Sequence, residues 1–448
     1  MVPGADARRE LRDSAVFARL LRELELDGGR FTAVRAPGAS VPLPSALPVG
    51  EFAWLSVLAT GAALSPADVR APDPAGVAAA YRSDRHLLID GTAPDVWSPL
   101  SRFWPASDGW VRTHGNYPHH AAALRAGLGL DHAADAEAVA ARLRELPADR
   151  ATADIRDAGG VCTTVKRERP ERDEDLCRHP LVEISRLDDA PRRPLPAASE
   201  DAPLAGVRVL DLTRVIAGPV ATRTLAFAGA DVLRIDPPRL AEPIWQHLDT
   251  GHGKRSALLD VAEESERIAQ LLAGADVVVL GYRPAALSRL GLSPARLAHE
   301  HPHLVIAQLS AWPGPDSPRG FDSIVQADCG ISWIESADGR APGALPAQAL
   351  DHTAGYLLAA GIATALRQRA EAGGARRVRL SLRRVAAELL RMPRHASSPQ
   401  SRSDGEIRTQ AFDVAGRRVI TVAPAVRWAG SPMTFTAPRP WGQDAAEW

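Results

Sequence analysis

Residues 207–235, VRVLDLTRVIAGPVATRTLAFAGADVLRI, constrain this chain more than any other stretch. Two apolar runs, 207–212 and 232–235, flank a turn containing Gly218-Pro219 and a small-residue segment of helical character, so the whole reads as strand, helix, strand. Strands that are apolar on both sides have no face for water, and they belong in a parallel sheet covered by helices on each face. In such a sheet ligands bind at the carboxyl ends of the strands. The alternation continues with strands at 256–259, 277–280 and 304–309, a helix at 263–272, and a helix start at Ser293-Pro294. The expected fold class is therefore α/β, a doubly wound and mostly parallel Rossmann-like large domain, beside a smaller α+β domain. The turn 213–219 resembles a nucleotide cradle but has no G-x-G-x-x-G, which disfavours NAD and leaves an ordinary crossover as the other reading.

A chain of 448 residues has room for two or three domains. Its formal net charge of −1 gives no global attraction for nucleic acid or an anionic membrane, so any polyanionic ligand must be handled locally. Cys162, Cys177 and Cys329 have neither metal spacing nor an even count, and a reducing cytoplasm is the simplest setting. No segment approaches a membrane span, and the charged stretch 5–25 lacks the apolar core of a signal peptide.

Four divisions are expected: a degenerate N-terminal lobe (1–95), a small domain with its linker (96–202), the large domain (203–395), and a hairpin with an irregular tail (396–448). Helices are expected at 11–26, 51–64 and 75–82, with a link at 36–50. The helix from Glu51 can be laid on a later one so that Leu58, Ala59, Gly61 and Ala63 fall on Leu358, Ala359, Gly361 and Ala363. VRAPDPAGVAAAYR, from Val69, then echoes VRLSLRRVAAELLR, from Val378. This suggests a lobe that kept a last helix, strand and helix, with Glu51, at the place of Asp351, having a structural role. In 97–186 a strand, a turn and a helix from Pro118 are expected, then helices at 137–146 and 152–158. His114, His119 and His120 match no common zinc pattern and are read as surface or loop residues rather than metal ligands. The charged run 166–175 reads as a solvated loop and 190–203 as a linker. Beyond it, 393–405 reads as a loop and 406–422 as a hairpin turning at 413–416.

Several blocks share one further likeness. They are PLAGVRVLDLTRVIAGPVATRTLAFAGADVLRIDPP (203–238), GHGKRSALLD (251–260), GYRPAALSRLGL (281–292), SAWPGPDSPRGFDSIVQADCG (310–330) and D-x-x-x-G from Asp351 to Gly355 before an alanine-rich helix. Together they resemble the class III CoA-transferases of CaiB/BaiF type, a family that includes formyl-CoA transferase, carnitine CoA-transferases and 2-methylacyl-CoA racemases. The resemblance implies the CoA-transferase III fold, an interlocked homodimer, and coenzyme A or acyl-CoA as substrate with a carboxylic acid as acceptor, with no permanent cofactor and no metal. It places CoA near Val215, Ile216, Ala217, Arg234, Lys254, Arg255, Tyr282, Arg283 and Gly355.

From the residues alone, Asp351 before a helix is either an N-cap or a catalyst; the resemblance makes it the nucleophile. Its carboxylate would attack a thioester to form an aspartyl-acyl anhydride and free CoA thiolate, which returns to make an aspartyl-CoA thioester that an acceptor carboxylate displaces. One thioester replaces another, so neither ATP nor a P-loop is needed. A helix N-terminus behind Asp351 would favour its ionised form. Arginine and lysine at strand ends suit phosphates, although each could equally be a surface charge.

The sequence departs from the family in places. The small domain precedes the large one, as in a partial tandem fusion. Ile216 replaces a glutamine, which disfavours an oxalate-like substrate; Gly281 replaces an asparagine, Ala285 a glycine, and residues 238–247 a G-D-P phrase. Phe321 stands where the racemases carry a histidine base, and phenylalanine cannot move a proton. Asp322 beside it reads as a structural hydrogen-bonding residue. The alternatives to CoA transfer are an acyl-CoA racemase or epimerase and a catalytically silent acyl-CoA-binding protein.

Overall fold

The computed structural model of the chain describes residues 11–34, 41–315, 318–394 and 406–448. Parts of the expected link (36–40) and loop (395–405) lie outside the described residues. At the centre is a seven-stranded sheet. In chain order its strands are β1 (Glu183–Arg186), β2 (Arg208–Leu212), β3 (Asp231–Asp236), β4 (Lys254–Leu258), β5 (Val277–Leu280), β6 (Val305–Ser310) and β7 (Arg376–Ser381). Their spatial order is β1-β7-β6-β5-β2-β3-β4. Strands β2 to β7 run parallel, and β1 closes the β7 edge antiparallel with Ile184 opposite Val378. The order reverses at β2, so a crevice opens at the carboxyl ends of β2 and β5.

Four helices build the side of the sheet that matters for the site: α1 (Val49–Leu64), α2 (Ala217–Phe227), α3 (Ala349–Ala372) and α4 (Leu382–Arg391). Helix α3 packs against both α2 and α1. Helix α1 is apolar on all sides and buried on nearly all of them, as such a helix must be. Thr60 Oγ1 donates to the Tyr356 carbonyl at 2.9 Å, tying α1 to α3. Residues between Val16 and Tyr81 share one hydrophobic core with α2, α3 and the adjoining sheet face. The stretch expected as a separate lobe is thus an added layer on that core. Its internal likeness has a structural counterpart: α1, a single bridge from Val69 to Trp428 and a helix at Pro74–Tyr81 follow the order of α3, β7 and α4. Glu51 is exposed.

The second module is a three-stranded antiparallel sheet (Phe103–Pro105, Trp110–Thr113, Cys162–Thr164) with helices at Pro118–Gly127, Ala136–Glu145 and Ala148–Asp157. It has its own core, centred on Trp104, Leu124, Val139 and Ile155. The run 166–175 is not wholly a solvated loop. It contains a helix, Pro170–Cys177, whose buried Asp173 meets the buried Arg383 of α4 at 2.5 Å, so one carboxylate of the run has an interior partner. The C-terminal hairpin spans Thr409–Val414 and Arg417–Val422. Ala415 and Gly416 both have positive φ at its turn, and Leu88–Ile89 adds a third strand.

Helices α2 and α3 touch at Gly355, where an added Cβ would lie 2.6 Å from the Ala217 carbonyl oxygen. Alanine is a better helix former by about 1 kcal/mol, but overpacking against backbone costs about 1–3 kcal/mol. Gly355→Ala is therefore expected to lower the denaturant midpoint, measured by circular dichroism. A midpoint at or above that of the unaltered chain would mean that α2 and α3 can separate freely.

Candidate active site

The turns that leave β2 and β5 wall a cavity of about 380 Å³. The first supplies Arg214, Val215, Ile216 and Ala217, and the second Gly281, Tyr282 and Arg283. Asp351 reaches the cavity from the first turn of α3, Arg319 and Phe321 border it from the segment after β6, and Tyr117, His119 and His120 come from the three-stranded module.

Buried charge shapes the first turn. Asp211, at the end of β2, accepts the Thr213 N–H at 3.0 Å and hydroxyls of Thr213 and Thr222, both at 2.5 Å. Lys254 Nζ donates to Asp211 at 3.1 Å and to the Pro219 carbonyl at 2.9 Å. Burial pulls Lys254 down to about 8, against the opposing pull of Asp211. Val215 sits at φ 71°, a strained conformation for a β-branched residue. Its N–H donates to Glu242 at 3.1 Å. The same carboxylate accepts Arg214 Nε at 2.8 Å, Arg234 Nη2 at 3.1 Å and the Tyr117 hydroxyl at 3.2 Å.

The structure divides the residues expected near CoA. Val215, Ile216, Ala217, Tyr282 and Arg283 line the cavity together with Asp351. Arg234 and Lys254 do not; each side chain is 1% exposed and already paired, Arg234 with Asp236 and Glu242 and Lys254 with Asp211. A charge on an inner strand of a sheet covered on both faces must find a carboxylate there. Arg255 pairs with Asp231 at 2.8 Å and is also outside the lining. Gly355 faces Ala217 and Val220 rather than the cavity.

Other cations lie at or near the cavity. Among the described residues Arg283 and Arg289 have no carboxylate partner, and burial, then the charges of Arg319 and Arg289, lower the proton affinity of Arg283. Arg283 and Arg319 both line the cavity. The sequence signal for Arg289 and Arg319 was present in two matched blocks but was not separated from ordinary surface charge. The histidines are also corrected: His114 and His120 are buried, and only His119 is exposed. His114 stacks on Phe321 at 3.8 Å between ring centroids, and burial lowers the pKa of His120 to about 4, keeping it neutral. No cluster suited to a metal occurs among the described residues.

Asp351 is the third residue of α3, whose N-cap is Gln348, so it does not cap the helix. It is 7% exposed. Its backbone N–H donates to Asp322 Oδ2 at 3.0 Å, and Asp322 also accepts from the Gln326 amide. Burial, and next the Asp322 charge, hold the Asp351 carboxyl well above the usual carboxylate range. This reverses the expectation of a helix terminus favouring ionisation. The helix-end effect is worth about 0.3–1 kcal/mol at an exposed site, and desolvation with a like charge outweighs it.

Residues 204–423 match the family model described as CoA-transferase family III. The chain is 32% identical over 214 residues to a probable fatty acyl-CoA transferase of Mycobacterium tuberculosis, covering 44% of this chain and 54% of that one. It is 36% identical over 203 residues to an acetyl-coenzyme A transferase of Hypoxylon pulicicidum, covering 43% of this chain and 34% of the relative. With a formyl-CoA:oxalate CoA-transferase of Bradyrhizobium diazoefficiens it shares 29% identity over 205 residues, or 42% of this chain and 48% of that one. The matches span about half the length of these relatives or less.

Burial raises Asp322 from 3.8 to about 6. A carboxyl with a folded pKa above its unfolded one destabilises the fold when it ionises, so stability falls as pH rises between about 4 and about 6. Asp322→Asn lacks this effect. Relative to the unaltered chain its melting temperature is expected to rise across that interval and then level, while the Asp351 carboxyl, followed by carbon NMR, titrates at lower pH. Unchanged titration of Asp351 would show that the two carboxyls are not coupled.

Proposed function

We propose that this chain, whose residues 204–423 belong to CoA-transferase family III, moves CoA from an acyl-CoA donor to a carboxylic acid through Asp351. The observation that carries this reading is a single buried carboxyl facing a cavity at the sheet's switch point, with the guanidiniums of Arg283 and Arg319 in the same wall. The names of the relatives support CoA transfer as the reaction class. Arg283, Arg289 and Arg319 suit the phosphates of CoA, since guanidinium pairs phosphate oxygens in a planar fork. The N-terminus of α2 has no side-chain cap and adds free backbone N–H groups next to Ile216 and Ala217.

In the first half-reaction the ionised Asp351 attacks the thioester carbonyl, the C–S bond breaks, and an aspartyl-acyl anhydride forms with CoA thiolate. The thiolate then attacks the aspartyl carbonyl, releasing the donor acid as its carboxylate and leaving aspartyl-CoA thioester. The acceptor carboxylate repeats these steps in reverse order and restores Asp351. No proton is gained or lost over the cycle. The high pKa of Asp351 makes its ionised form a stronger nucleophile than an ordinary carboxylate. The apolar wall formed by Ile216, Leu240, Phe321 and Leu382 suits a hydrocarbon acyl group better than oxalate.

Incubation with a panel of acyl-CoAs, quenching with hydroxylamine or borohydride, and mass spectrometry test this directly. Modification is expected at Asp351 and not in Asp351→Asn. No adduct with any donor, in protein that binds CoA, would sink the covalent mechanism. Arg283→Ala is expected to weaken CoA binding roughly 10-fold or more, the loss of one charge-assisted contact of about 1.5–3 kcal/mol. Unchanged affinity by calorimetry would remove Arg283 from the phosphate site.

A further inference from the structure

A second and larger chamber, of about 600 Å³, lies on the sheet face opposite α3, where the strands β6 and β7 end and β1 begins. It meets the Asp351 cavity at Ser310, which lines both. Pro284 and Ser381 in its wall directly adjoin Arg283 and Leu382 in the wall of the other. Its charge is mainly positive. Arg377 and Arg379 of β7 straddle one carboxylate, Glu183, at 3.0 and 2.6 Å. Arg384, 5% exposed in the first turn of α4, donates from Nε to the His179 carbonyl at 3.1 Å and lies 2.8 Å from Glu388 through Nη1. Three guanidiniums therefore share the wall with one carboxylate, Glu183, while Glu388 lies outside the lining and also pairs with Arg19 at 3.2 Å.

Several buried donors beside this chamber have no protein partner. Nη2 of Arg384 and Nε of Arg377 make no hydrogen bond but are sealed behind the wall; the unpartnered polar group on the chamber's surface is a carboxamide. Gln308 of β6 is 8% exposed, lines the chamber, and has no side-chain hydrogen bond among the described residues. Unsatisfied buried donors of this kind are uncommon in folded proteins and call for an explanation. The rest of the wall is largely apolar, with Leu181, Pro284, Pro294 and Leu380. Excess positive charge, the partly exposed Arg377 and Arg379, the Gln308 carboxamide and apolar sides together match an organic acid: a carboxylate for the guanidiniums and carboxamide, a carbon skeleton for the leucines and prolines. Glu183 already displays how these arginines hold a carboxylate.

We infer that this chamber binds a small organic carboxylate and holds it beside the Asp351 cavity as the acid that receives CoA. The acceptor role rests on the transferase reading above; the binding site does not. Calorimetric titration of the full chain with succinate, and separately with inorganic phosphate, tests the site without any turnover. Succinate is expected to bind at millimolar concentration or below, and more tightly than phosphate. Gln308→Leu is expected to bind succinate roughly 10-fold more weakly or worse, while melting no lower than the unaltered chain because an unpartnered buried amide has been replaced by an apolar group. Asp351→Asn is expected to bind succinate as before.

Absence of succinate binding, tighter binding of phosphate, or equal binding by Gln308→Leu would each overturn the site. Loss of binding in Asp351→Asn would overturn it too, by placing succinate in the other cavity. Binding that follows the expected pattern in a protein that transfers no CoA would leave the site standing and reject only its role in the transferase reaction.

Discussion

Two buried carboxylates, Asp211 and Glu242, hold the turn on which the site is built. Burial pushes Asp211 up, but Lys254 and Arg234 outweigh it and keep it ionised. For Glu242 burial is again opposed, by Arg234 and then Arg214. Buried pairs of this kind add little net stability, yet removing one partner typically costs about 3–5 kcal/mol because the other charge is stranded. Their contribution here is conformational. Without Glu242 the N–H of Val215 would lose its acceptor in a left-handed conformation that valine otherwise avoids.

The same carboxylate joins the two modules. Tyr117, from the three-stranded module, donates to Glu242 while Arg214 lies across its ring at 5.0 Å. A second junction is the stack of His114 on Phe321. Phenylalanine at position 321 therefore has a packing role as well as lacking a titratable group. Both junctions border the Asp351 cavity, so the walls of the site come from segments more than a hundred residues apart in one chain. Small errors in how the modules dock would change the distance between an apolar wall and the Asp351 carboxyl, and a reaction of the kind proposed at that carboxyl is sensitive to displacements of this size.

The fold was largely legible in advance. Apolar runs at 207–212, 232–235 and 277–280 became parallel inner strands because a continuous apolar run has nowhere else to go. Gly355 mattered as expected of a glycine in a small-residue stripe, although it serves helix contact rather than ligand contact. Lys254 and Arg234 were misleading for a physical reason: a cation written into a strand looks the same whether it reaches solvent at the strand end or turns inward to a carboxylate. Likewise His120 and Glu242 had no local pattern to mark them, since their partners are distant in the chain.

The sequence by itself determined the doubly wound, mostly parallel sheet and the place of Asp351 at the start of a small-residue helix, because these follow from local periodicity and from the order of elements along the chain. Only the tertiary structure decided which charges face the cavity, that burial and then the nearby Asp322 raise the pKa of Asp351, and that residues 16–81 form a layer on the main core. Burial and charge pairing depend on distances between segments remote in sequence, and no local pattern of residues contains those distances.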